Sequence, residues 1–75
     1  MKLLIFGMLV EDFGSQEFET KPLYDIDSLR KFLIEKFPIL QNRKFIIAVN
    51  KQKIDGNMAL KPDDEIALIP PFAGG

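Results

Sequence analysis

Residues 26–37 carry the one helical pattern in this chain, and that single helix limits the fold more than any other feature. Asp25 precedes it, where a carboxylate can accept from the unpaired amides of a first turn, and Asp27 lies where the helix dipole favours negative charge. Ile26, Leu29, Leu33 and Phe37 fall at i, i+3, i+7 and i+11, one apolar stripe with Phe32 beside it, while Arg30, Lys31, Glu35 and Lys36 lie toward solvent. Pro38 stops the pattern, because its ring would clash with the carbonyl four residues back. One stripe on one helix must be covered by something else, and the remaining pattern offers only strands.

Lys2 to Val10 reads as a first strand, apolar on both alternating faces, which places it centrally in a sheet or reserves one face for a partner. A polar turn through Glu11, Asp12, Gly14 and Ser15 leads to a weaker alternation around Phe18, the antiparallel return over 16–20. After the helix, Gln41 to Lys44 is a polar connector and Phe45 to Asn50 a β-branched and aromatic strand. A short segment through Lys53 and Ile54 follows, then turns at Asp55-Gly56-Asn57 and Pro62-Asp63-Asp64, with Leu60 as a core anchor between them. Glu65 to Ile69 is the last strand. A right-handed crossover through the helix then sets the first and last strands side by side and parallel at the centre. The expected fold is α+β: a ubiquitin-like β-grasp, with a mixed sheet of four to five strands packed on one main helix, forming a domain over 1–69.

With 75 residues and no cysteine, the chain has no disulfide to lean on, so its 47% apolar content, including seven Phe, must go largely into one core. A net charge of −1 argues against a nucleic-acid or anionic-membrane footprint, and no apolar run approaches membrane-span length. The expected address is cytoplasmic. Lacking both Cys and His, the chain has no thiolate nucleophile, no imidazole base and no ordinary zinc or iron site. Phosphate-binding loops and nucleophile elbows are missing as well. No cofactor or metal is expected on this chain, and any covalent chemistry would take its catalytic groups from another protein.

Candidate functional residues therefore concentrate after the last strand, in Pro70, Pro71, Phe72, Ala73, Gly74 and Gly75. Two prolines cannot continue a ladder and direct the chain away from the body. Fully extended, six residues reach roughly 20 Å, enough to enter a partner's channel. Gly74 and Gly75 put no side chain beside the terminal carboxylate, so a narrow tunnel can surround the backbone. The expected reactive group is the α-carboxylate of Gly75, on a flexible tail over 70–75, with Phe72 as tail anchor. If Leu3, Ile5 and Leu9 face the helix, then Leu4, Phe6 and Met8 emerge on the opposite face with Ala67 and Ile69 as neighbours, extended by Ala48. Such a patch marks a partner surface.

Several segments carry a family likeness: Phe6-Gly7 closing the first strand, Gly14, the helix introduced by Asp25 and carrying Leu29, Ala48-Val49-Asn50, the turn Leu60-Lys61-Pro62-Asp63-Asp64-Glu65, and the finish Pro70-Pro71-Phe72-Ala73-Gly74-Gly75. On these the chain resembles the small subunits of molybdopterin synthases, within the ubiquitin-like sulfur-carrier family. The resemblance implies that an E1-like adenylating enzyme, using ATP and magnesium, joins AMP to the Gly75 carboxylate. A sulfur-donating protein then provides the sulfur for a thiocarboxylate. It further implies insertion of the loaded tail into a molybdopterin synthase large subunit, where cyclic pyranopterin monophosphate receives the sulfur. Two alternatives stay open at this point: a carrier for thiamine or tRNA thiolation, and a ubiquitin-like protein modifier or binding module.

Overall fold

The structure, a computed structural model, describes residues 1–71. Its elements are strand β1 (Lys2–Ile5), helix α1 (Leu9–Phe13), β2 (Glu17–Glu19), α2 (Ile26–Lys36), a 3-10 turn (Pro38–Asn42), β3 (Ile46–Val49), β4 (Gln52–Lys53) and β5 (Glu65–Ile69). The five strands form one mixed sheet in the order β2-β1-β5-β3-β4. β1 and β5 pair in parallel, Leu3 opposite Ile66 and Ile5 opposite Leu68, while β2, β3 and β4 pair antiparallel to their neighbours. The expected β-grasp, with the first and last strands adjacent and parallel, is what the chain forms.

α2 develops as its sequence dictates. The Asp25 side chain accepts from the Ser28 amide at 2.8 Å, capping the first turn. Asn57 reaches across from the Asp55-Gly56-Asn57 turn after β4: its Nδ2 donates to Asp25 Oδ2 at 3.0 Å, and its Oδ1 accepts from the Asp27 amide at 2.9 Å. Ile26, Leu29 and Leu33 are buried and Phe37 half-buried. Opposite them, Leu3, Ile5, Ile47, Val49, Ile66 and Leu68 supply the sheet's side of the core. Burying each of these large aliphatic side chains contributes about 1.5–3 kcal/mol. Phe13, Phe18 and Phe37 close one end of the core, with ring centroids 4.4 to 6.2 Å apart.

Two local expectations are corrected. The first strand, expected over 2–10, ends at Ile5; Gly7 takes a φ of +59°, and the chain turns into α1. Leu9 and Phe13, four residues apart, both enter the core, and Glu11 and Asp12 occupy the first turn. A helix turns Leu9 and Phe13 inward while leaving Glu11 exposed, whereas a continuing strand would point Glu11 to the same side as both. Pro38 does end α2 but also begins the 3-10 turn Pro38–Asn42, which buries Leu40 and takes in Gln41 and Asn42 of the stretch read as a plain connector.

β3 and β4 join through Asn50 and Lys51, with φ of 50° and 72°, as a tight two-residue hairpin requires. The Asn50 side chain fastens this hairpin to the turn before β5: its Oδ1 accepts from the Glu65 amide at 3.0 Å and its Nδ2 donates to Asp64 Oδ1 at 3.0 Å. Asp64 Oδ2 in turn accepts from the Lys61 amide at 2.8 Å. The last strand is thereby fixed at its start as well as along both edges.

Candidate functional site: an open sheet face beside the end of β5

Side chains alternate between faces along a strand, so the pairing register determines what the uncovered face displays. With Leu3, Ile5, Ile66, Leu68, Ile47 and Val49 turned toward α2, the other face carries Leu4 from β1, Ala67 and Ile69 from β5, and Ile46 and Ala48 from β3. Leu4, Ala67, Ile69 and Ile46 are each half-buried. Ala48 is buried, yet it stands apart from the core cluster formed by the other buried hydrophobic side chains. The result is an apolar band across the three inner strands.

Charged side chains bound this band. Glu17 and Glu19 from β2 and Lys2 from β1 lie on one side, with a Lys2–Glu17 ion pair of 3.5 Å, and Lys53 of β4 lies opposite Ala48 on the other. Both edge strands are short, three and two residues, and carry charge, which discourages pairing through the edges. A partner is left with the face. An apolar centre inside a polar rim is the usual anatomy of a docking surface.

Phe6 follows β1 and is 46% exposed, held by its amide donating to Leu68 O at 3.0 Å. Met8 is 63% exposed but does not project from the strand as expected: it stands at the start of α1, just past the Gly7 turn. The patch expected from the sequence thus contains Leu4, Ala67 and Ile69 on the sheet, with Phe6 and Met8 continuing it around the turn. Ile46 belongs to the same band and was not among the expected residues. The alternation of Ile46 and Ala48 against Ile47 and Val49 is the signal that locates it.

Of the tail residues, Pro70 and Pro71 are within the described part. Pro70, the first residue past the boundary drawn at Ile69, is buried, and its ring lies against Gly7; Pro71 is exposed. Phe72, Ala73, Gly74 and Gly75 lie outside the described residues. The end of β5, the Phe6–Met8 turn and the apolar band therefore meet at one corner of the sheet.

Known proteins share this fold. Residues 3–75 match the ThiS family. The chain belongs to that family. A molybdopterin synthase sulfur carrier subunit from Caenorhabditis briggsae is 31% identical to it, across 100% of this chain and 96% of the relative. Among solved structures, the complex of subunits 1 and 2 of molybdopterin-converting factor from Helicobacter pylori contains a chain of 32% identity that superposes with a TM-score of 0.73, covering 99% of this chain and 96% of that one. Small archaeal modifier protein 1 from Methanosarcina acetivorans superposes with a TM-score of 0.79 at 23% identity, over 99% and 94% of the two chains, a likeness of fold. The ThiS-family chain described here is thus a five-stranded ubiquitin-like β-grasp with a mostly apolar open face. Among the described residues, no helix is long and apolar enough to cross a membrane.

Proposed function

We propose that this chain is the sulfur-carrying subunit of a molybdopterin synthase, with the Gly75 carboxylate as the group that is activated and loaded. The observation that carries the reading is the full-length similarity to a molybdopterin synthase sulfur carrier subunit, reinforced by a 32% identical chain solved in complex with its second subunit. The apolar band at the corner where β5 ends fits the same role, since a partner docked on Leu4, Phe6, Met8, Ala67 and Ile69 stands beside the base of the tail.

The chemistry follows from what a carboxylate lacks. As an anion it is a poor electrophile. Attack of a Gly75 oxygen on the α-phosphorus of ATP, with pyrophosphate leaving, converts it to an acyl-adenylate inside an E1-like adenylating enzyme. Hydrosulfide released by a sulfur-donating protein then attacks the acyl carbon, the acyl–phosphate bond breaks and AMP leaves, and loss of the thiol proton to solvent leaves a thiocarboxylate on the chain. The folded body serves recognition: it docks on the large subunit while the tail delivers sulfur to cyclic pyranopterin monophosphate. Two sulfurs per dithiolene require two deliveries. ATP and magnesium belong to the adenylating partner.

Intact-mass analysis after incubation with ATP, the adenylating enzyme and a sulfur source tests this directly. Thiocarboxylate formation adds about 16 Da, the sulfur-for-oxygen difference. Larger adducts on lysines of other proteins would point instead to a protein modifier. Deleting Gly75 should leave the thermal unfolding midpoint unchanged and abolish loading; product formation by the truncated chain would reject the tail as donor. Rescue of molybdoenzyme activity separates this role from thiamine or tRNA thiolation.

A further inference from the structure

We propose that Gly7 is a positioning residue for the tail: the bare backbone of the β1–α1 turn forms the seat for the Pro70 ring and so fixes the direction in which the chain leaves the sheet. A Cβ built on Gly7 would stand 2.7 Å from Pro70 Cγ and 3.4 Å from its Cδ. Carbon atoms in good contact stand about 3.5–4.0 Å apart. The ring therefore occupies the space that any side chain at position 7 would take.

The seat is rigid on both sides. Phe6 N–H donates to Leu68 O at 3.0 Å, tying the turn to the central strand, and Gly7 O accepts from Val10 N–H at 3.1 Å, tying it to α1. Pro70 brings its own constraint, since its ring fixes φ. A fixed seat and a fixed φ meet at the first residue after the ladder. Gly7 also lies between Phe6 and Met8, the two most exposed apolar side chains of that corner. A partner that grips those side chains and also receives the tail holds the chain at two points, and the Gly7–Pro70 contact sets the angle between them. A shift of about 1 Å at this first link changes where the tail starts relative to the docked face, and misplacement of that order at a reacting group costs up to about 100-fold in rate.

This inference rests on the sulfur-carrier reading. Its test compares Gly7→Ala with Gly56→Ala in the complete chain, with large subunit and adenylating enzyme present. Gly56 has a φ of +78° but no atom within 4 Å of an added Cβ, so that variant carries the backbone strain without the contact. Gly7→Ala is expected to lower sulfur transfer at saturating large subunit about 10-fold, with less than about a 3-fold change in the Kd for that subunit, while Gly56→Ala changes neither. Pro70→Ala removes Cγ and Cδ, so Gly7→Ala/Pro70→Ala should transfer sulfur as fast as Pro70→Ala alone. Equal losses in Gly7→Ala and Gly56→Ala, wild-type turnover in Gly7→Ala, or a double variant that multiplies the single losses would each overturn the proposal. If Gly7→Ala does not fold, restoration of folding by Pro70→Ala supports the contact and its failure rejects it. A wild-type chain that takes up no sulfur removes the sulfur-carrier reading. The seat itself is then judged by nuclear Overhauser contacts between Gly7 Hα and the Pro70 ring: their presence upholds it and their absence sinks it.

Discussion

The two faces of the sheet are built from the same strands and nearly the same residue types, yet among the described residues only one is covered by other elements of the chain. Toward α2, Leu3, Ile66 and Leu68 are completely buried; a single residue along each strand, Leu4, Ala67 and Ile69 are only half-buried. The covered face is filled by large branched side chains and sealed by three phenylalanines. The open face alternates Leu4 and Ile69 with Ala67 and Ala48, a shallower relief with charge at both borders. Composition alone does not separate structural from recognition surface here; the pleat does. Stability should therefore be concentrated on one face and association on the other.

The largest expected effect is on the covered face. Leu68→Ala should cost about 2–5 kcal/mol, read from the urea midpoint, because it opens a cavity beneath α2 in the central strand. A cost near zero would mean that the two faces are not distinguished energetically. On the open side, Phe6→Asp should change stability by less than about 1 kcal/mol while weakening association with the large subunit by about 2 kcal/mol or more, measured by calorimetry. Unfolding of that variant would move Phe6 into the core and erase the contrast.

Smaller effects belong to the polar fastenings at the rim. Asn57→Ala removes hydrogen bonds to Asp25 and to the Asp27 amide and should cost about 1 kcal/mol without altering association. Hydrogen bonds from Asn57 and Ser28 hold the Asp25 carboxyl below its ordinary 3.8, and the Lys61 amide followed by Asn50 does the same for Asp64. Because both folded-state values lie below the unfolded one, their contribution is fully present above the unfolded pKa. It is lost as pH falls below about 4 and through the folded values. Asp25→Asn should flatten the acid limb of the stability curve between pH 5 and 3. An unchanged slope would leave the capping carboxylate without thermodynamic weight.

Much of this contrast was legible in the sequence. The α2 stripe, the Asp25 cap and β5 over Glu65–Ile69 follow from period and capping, whereas the inward facing of Leu3 and Ile5 stood only as a condition that the strand register fulfils. α1 did not, because the apolar stretch from Leu3 to Val10 has no period of its own and could run on as a strand. The signals against that were Gly7 inside the stretch, Glu11 standing between Leu9 and Phe13 where a strand would turn it to their side, and Gly14 as a stop. Missing α1 placed Met8 on the sheet rather than at the turn. The seat of Pro70 on Gly7 was not readable either: it joins residues 63 positions apart, and nothing local to Gly7 distinguishes a glycine needed for its turn from one needed for its neighbour.

The parallel β1–β5 pair also has a consequence for biosynthesis. β5, the last strand in chain order, inserts between β1 and β3, so a chain ending before Glu65 has two unpaired inner edges rather than one missing outer strand. Such an unfinished product cannot close its sheet and exposes edges that invite aggregation. A chain cut short before β5 is thus expected to be degraded rather than to present a finished sheet.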